Sequence, residues 1–140
     1  MSLDRFVDAQ NGVYPRALSE LRDGVKTSHW MWFIFPQIVG LGTSPTARHF
    51  AIRGLDEARA YLEHAVLGPR LGEATAAVTA WSGQRTLADI FGTIDARKFV
   101  ICMTLFEAAT SNHGQAGFAH ALDVLAEGAR DRQTLALFAT

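Results

Sequence analysis

The chain contains one cysteine, Cys102, in 140 residues. An intramolecular disulfide is therefore excluded, and a reducing compartment is the expected setting. An excess of either charge is missing too. Thirteen basic and fourteen acidic residues leave a net charge of -1. No stretch concentrates Lys or Arg, so the counterion-releasing face of a nucleic-acid binder is not expected. Long apolar runs are absent. The longest covers residues 30–35, far short of the ~20 residues that span a bilayer, so no membrane partner is expected. The first ten residues lack the basic start and apolar stretch of a signal peptide, and a cytoplasmic location follows as the expectation. The five histidines (His29, His49, His64, His113, His120) show no HExxH spacing and pair with no cysteine. No metal and no cofactor are expected. The phosphate-loop and nucleophile-elbow motifs are also missing.

What is present is a core. Hydrophobic residues make up 49% of the chain and charged residues 19%, which excludes disorder. The length suits a single domain over 1–140. Alanine and leucine dominate, and both favour helix. The pattern predicts an all-α, irregular multihelical domain with a buried central helix at 93–109. Helices are expected over 3–9, 15–23, 55–63, 70–81, 87–91, 93–109, 115–126 and 131–138. A further one begins at Ser44-Pro45, with Ser44 as cap and Pro45 in the first turn. Gly24, Gly54 and Gly92 read as stops. Residues 111–114 read as a turn. Residues 30–35 fit a short helical turn better than a strand, although a small strand could lie within 33–39.

Three groups could carry chemistry. The first is His29, Trp30 and Trp32, followed by Gly40 and Gly42. Two tryptophans beside a histidine can line a pocket that stacks a planar ligand, and glycines let backbone approach it. The same residues also make a plain hydrophobic plug with a glycine turn. The second is Asp95 and Lys98, three apart on the most apolar helix. Lysine occurs only twice against eleven arginines. Such a pair is either a helix-start ion pair or two groups facing a cleft. The third is Glu57, Tyr61 and His64 on one helical face, with Arg70 beyond a Gly-Pro turn. It reads first as a solvated face, and otherwise as acid–base machinery. Cys102 has no polar neighbour to lower its pKa and reads as core.

The run Lys26…His29-Trp30-Met31-Trp32-Phe33-Ile34-Phe35-Pro36-Gln37, then Gly40-Leu41-Gly42, resembles the signature of a family of small bacterial proteins of unknown function. Genome labels for that family often read calpastatin. The resemblance continues through Glu57-Ala58-x-x-Tyr61-Leu62-x-His64, Leu67-Gly68-x-Arg70-Leu71 and Phe91-Gly92-x-x-Asp95-x-x-Lys98, then Met103-Thr104-Leu105-Phe106. It implies an all-α multihelical fold, as in a mycobacterial hypothetical protein. Two departures stand out: His64-Ala65 replaces the family's His-Pro, and Ile101-Cys102 replaces two serines. Asp95, Lys98, Met103 and Phe106 also resemble, more distantly, a pattern in bacterial N-glycosidases acting on ADP-ribose-type substrates.

Two functions are therefore expected as rivals. In one, His29, Trp30, Trp32, Gly40, Gly42 and Tyr61 hold a small nucleotide-like ligand. Asp95 then acts as base or stabilises an oxocarbenium-like centre, and Lys98 holds an anion. In the other, the aromatic block is a non-enzymatic protein-interaction module. A cleft where His29, Trp30, Asp95 and Lys98 converge favours the first, and a flat exposed apolar patch the second.

Overall fold

The computed structural model describes residues 2–110 and 117–138. Among them the chain folds as helices: α1 (Asp4–Gln10), α2 (Tyr14–Asp23), α3 (Met31–Ile34), α4 (Pro45–Phe50), α5 (Leu55–Glu63), α6 (Leu67–Thr79), α7 (Leu87–Ala109), α8 (Gly117–Leu125) and α9 (Arg132–Phe138). The expected strand within 33–39 is only a single parallel bridge, Ile38 to Ile52. The expected turn at 111–114, the first residues of the helix expected at 115, and His113 lie outside the described residues.

Local chemistry sets the helix ends. The Ser44 hydroxyl accepts from the Ala47 N–H at 3.1 Å, with Pro45 in the first turn of α4. Thr86 and Asp89 cap each other's backbone at the start of α7, satisfying two N–H groups that a helix start leaves open. Gly24 ends α2 in the left-handed conformation. Gly92, expected as a stop, is instead a kink: its φ of 79° breaks the helical geometry within α7. The helix expected from residue 70 starts earlier, at Leu67. Pro69 lies in its first turn, where a missing N–H costs nothing. Val66 is the N-cap and offers no side-chain cap; His64 Nδ1, just ahead of it, accepts from the Val66 and Leu67 N–H groups at 3.1 and 3.2 Å.

The second part of α7 is the buried centre. Phe99, Cys102, Met103, Leu105 and Phe106 have no solvent exposure, and α7 packs against α5, α8 and α9. Burial pushes the Cys102 thiol well above its ordinary pKa, as fits a core residue rather than a nucleophile. Residues 30–35 dock on this core. Phe35 meets Phe99 and Phe91 edge-on at 5.1 and 5.9 Å, and Phe91 stacks on Phe99 at 5.4 Å. These geometries are the favoured ones for aromatic pairs. Trp30, Met31, Ile34 and Phe35 are buried, while Trp32 and Phe33 are half-buried.

Candidate functional site

The site begins with a buried carboxylate. Glu20, on α2, is 8% exposed. It accepts hydrogen bonds from the Thr27 and Ser28 N–H groups at 2.8 and 3.0 Å, from Trp30 Nε1 at 2.9 Å, and from the Ser28 hydroxyl. Burial pushes its carboxyl up, but these donors outweigh burial and hold it at about 2. One side chain thus shapes the loop from α2 to α3 and satisfies the buried indole. The base of the loop is clamped from the segment between α6 and α7. Trp81 Nε1 donates to the Leu21 carbonyl at 2.9 Å, and Arg85 Nε to the Gly24 carbonyl at 2.8 Å. A Cβ on Gly24 would stand 2.9 Å from both Trp81 and Arg85.

The clamp delivers Lys26 to α7. Its N–H donates to the Ile90 carbonyl at 2.8 Å. Its Nζ lies 3.0 Å from Asp95 Oδ2, while Lys98 Nζ lies 3.4 Å from Asp95 Oδ1. Both lysines of the chain therefore share one carboxylate. Each also sits over an indole: Lys98 Nζ is 3.9 Å from the Trp32 ring centroid, and Lys26 Nζ is 5.2 Å from that of Trp30. Such cation–ring contacts contribute about 0.5–2 kcal/mol each. The side chain of Lys26 is 9% exposed, against about twice that for Asp95 and Lys98. Beside them opens a shallow hollow of about 430 Å³, lined by Phe91, Gly92, Thr93, Ile94 and Asp95.

The structure thus brings together Trp30, Trp32, Asp95 and Lys98. It places the other expected residues elsewhere. His29 is exposed and makes no hydrogen bond among the described residues; the residue on Asp95 is Lys26. Gly40 and Gly42 line a crevice beside Trp32 of about 20 Å³, room for about one water. Gly42 has a packing reason, because a Cβ there would meet the Ala47 methyl at 2.7 Å. Tyr61 is fully buried. Its hydroxyl accepts from Gln10 Nε2 at 3.1 Å, and burial pushes the phenol up.

The expected solvated face of Glu57, Tyr61 and His64 is corrected. Glu57 is 3% exposed and Tyr61 is wholly covered. Arg5, from α1, reaches across to Glu57 at 2.9 Å, and Phe6 and Phe106 pack on the Tyr61 ring at 5.2 and 5.3 Å. Arg70 donates to Gln10 Oε1 at 3.2 Å. This is a buried polar network tying α1 to α5 and α6. Two residues of the Asp95 corner escaped the sequence reading. Lys26 carried a signal, as the only other lysine and as the start of the aromatic run. Glu20 carried none, since its role depends on how the loop folds back.

Among the described residues no group of three His, Cys, Asp or Glu side chains could hold a metal ion. No helix there is long and apolar enough to cross a membrane. Among curated proteins, none matches this chain. Among solved structures, the chain is similar to the conserved hypothetical protein Rv1873 from Mycobacterium tuberculosis. The two share 46% identity with a TM-score of 0.93, over 99% of this chain and 96% of that one. The all-helical fold and the aromatic signature thus agree with a match over residues 1–138 to the model described as "Protein of unknown function (DUF1810)", and the chain belongs to that family.

Proposed function

We propose that this is a cytoplasmic protein whose Trp32–Lys98–Asp95 corner binds a small nucleotide-like ligand. The observation that carries the reading is the position of Lys98: its ammonium sits over a half-buried indole, is partly exposed, and pairs with Asp95, which lines an open hollow. A cation and an aromatic surface offered side by side are what an anionic ligand with a planar ring requires. Two lysines against one aspartate leave a local charge of +1, which favours an anion. Trp30, at 1% exposure, serves as scaffold rather than contact. Hydrolysis of an N-glycosidic bond would use Asp95 as base or as stabiliser of positive charge. Both Asp95 oxygens already face ammonium groups, so either role first needs a lysine to leave. The geometry therefore favours binding ahead of catalysis.

A second reading, a protein-interaction module, draws on Ile94. It is 75% exposed at the edge of the same hollow. Thermal-shift and calorimetric titrations with AMP, ADP-ribose and NAD distinguish the two. At a hundred times its Kd, a true ligand raises stability by about 2.7 kcal/mol. Lys98→Gln should keep the fold and weaken binding by about tenfold, or 1.4 kcal/mol. The absence of a shift with all three compounds, or equal binding by the variant, overturns the ligand reading and leaves the exposed Ile94 surface as the better one.

A further inference from the structure

Two buried side-chain polar atoms lack a hydrogen-bond partner among the described residues: Arg5 Nε and Gln37 Nε2. The Arg5 guanidinium is served elsewhere. Its other nitrogens donate to Glu57 and to the Ser2 and Ala51 carbonyls. The Gln37 amide nitrogen has no such compensation. A buried N–H group without an acceptor is costly, so its surroundings decide what it can receive.

The root of this side chain is held in place. The Gln37 carbonyl accepts from the Ile52 N–H at 2.8 Å, and the Val39 N–H donates to the Ile52 carbonyl at 2.8 Å. These two bonds make the Ile38–Ile52 bridge. Gln37 there lines the crevice of about 20 Å³ beside Trp32. The other polar side chains of that lining are Trp32 and Arg48. An indole and a guanidinium donate and do not accept. Among the described residues, the rest of the wall is apolar or glycine. The crevice thus has room for one oxygen-sized atom and no neighbouring side chain that could serve the Gln37 nitrogen.

Trp32 joins this crevice to the corner described above. Its half-buried ring forms part of the crevice wall and carries the Lys98 ammonium 3.9 Å from its centroid. A planar ring laid on Trp32 can turn an anionic tail toward Lys98 and one edge toward the crevice. The atom on that edge has to accept. An exocyclic carbonyl does so, whereas an exocyclic amino group of similar size sets donor against donor. A site built around a buried hydrogen-bonding group discriminates strongly, because the wrong partner leaves that group unpaired.

We propose that Gln37 is the specificity-determining residue of the corner, which takes a nucleotide whose base carries an exocyclic carbonyl, with that oxygen in the crevice on Gln37 Nε2. This rests on the ligand reading of the Trp32–Lys98–Asp95 corner and adds which base it selects. The test is a calorimetric titration of the full chain with IMP and with AMP, which present a carbonyl and an amino group at the same position of one purine. IMP should bind about tenfold more tightly or better, the cost of meeting a buried donor with a donor. Gln37→Met keeps the length, removes the donor and should bring the two affinities together. Gln37→Glu offers an acceptor instead and should make AMP the tighter ligand. A measurement on the unaltered protein stands beside the variants: in the ¹⁵N-labelled chain the Gln37 side-chain NH₂ resonances should move with IMP and stay in place with AMP. Equal affinities, tighter binding of AMP, or a preference that persists in Gln37→Met overturns the proposal and leaves the ligand reading standing; the amide then meets water only. Binding of neither nucleotide by the unaltered chain overturns both.

Discussion

Glu20→Gln is the sharpest test of how the site is held. The carboxyl falls from 4.5 to about 2 on folding. At about 1.4 kcal/mol per unit, that difference corresponds to about 3 kcal/mol of stability. Glu20 is 8% exposed, so solvent screening removes little of it. The folded pKa lies below the unfolded one. The contribution is therefore fully present above about pH 4.5 and is lost as pH falls toward about 2. Glutamine keeps the shape and one acceptor oxygen but carries no charge. It also sets an NH₂ group among donors, of which only the Ser28 hydroxyl can turn to accept. Urea unfolding of both proteins should show the variant weaker by about 2–3 kcal/mol near neutral pH, as expected for charged hydrogen bonds. The gap should narrow steadily below about pH 4.5, because only the wild type has this group to protonate. In the variant, the Trp30 indole N–H should also exchange faster with solvent. A gap that stays constant through acid pH, or one below ~1 kcal/mol at neutral pH, would refute the assignment of Glu20 as the charged anchor of the loop.

Substitutions at two positions test the helix ends. Gly68→Ala places a Cβ 2.1 Å from the Leu62 carbonyl oxygen; backbone cannot yield cheaply there, and thermal unfolding should show a loss of about 2 kcal/mol or more. Ser44→Ala should cost about 1 kcal/mol and Ser44→Gly only a few tenths, because glycine is tolerated at an N-cap and alanine is not; equal losses in denaturant melts would mean that the Ala47 N–H bond does not stabilise α4.

The legible parts of the fold were those governed by local chemistry. Ser44-Pro45 and Thr86 marked helix starts because a hydroxyl and a fixed φ act within one turn. The continuous apolar stretch from Phe99 to Phe106 marked the buried helix because no amphipathic face was left over. The errors came where local signals were ambiguous. Gly68-Pro69 reads as a break, yet Pro69 fits a first turn and Gly68 allows α6 to pass within contact of Leu62. Gly92 reads as a stop, yet it serves as a kink. Glu57 and Tyr61 read as solvated because helical spacing gives a face but not what covers it. The cover is Arg5 and Phe6, from a helix some fifty residues earlier. Asp95 and Lys98 were visible as polar residues in an apolar helix. Their partner Lys26 needed the three-dimensional path of the loop.

That path gives Lys26 a role distinct from that of Lys98. The Lys26 backbone bonds Ile90, before the kink at Gly92, and its ammonium bonds Asp95, after it. One residue therefore braces both arms of the bend. The bend itself has no steric cause: a Cβ on Gly92 would meet nothing within 4 Å, so only its left-handed backbone demands glycine. A hinge without packing on it needs an external strut to hold one angle, and the brace is tied in turn to Glu20 through Thr27 and Ser28. The angle sets where Asp95 and Lys98 stand relative to Trp32. Lys26 is accordingly a positioning residue, nearly buried and committed to Asp95. Lys98 is the cation left partly exposed. The local charge of +1 at the corner thus depends on both lysines, but its accessible part resides on Lys98 alone.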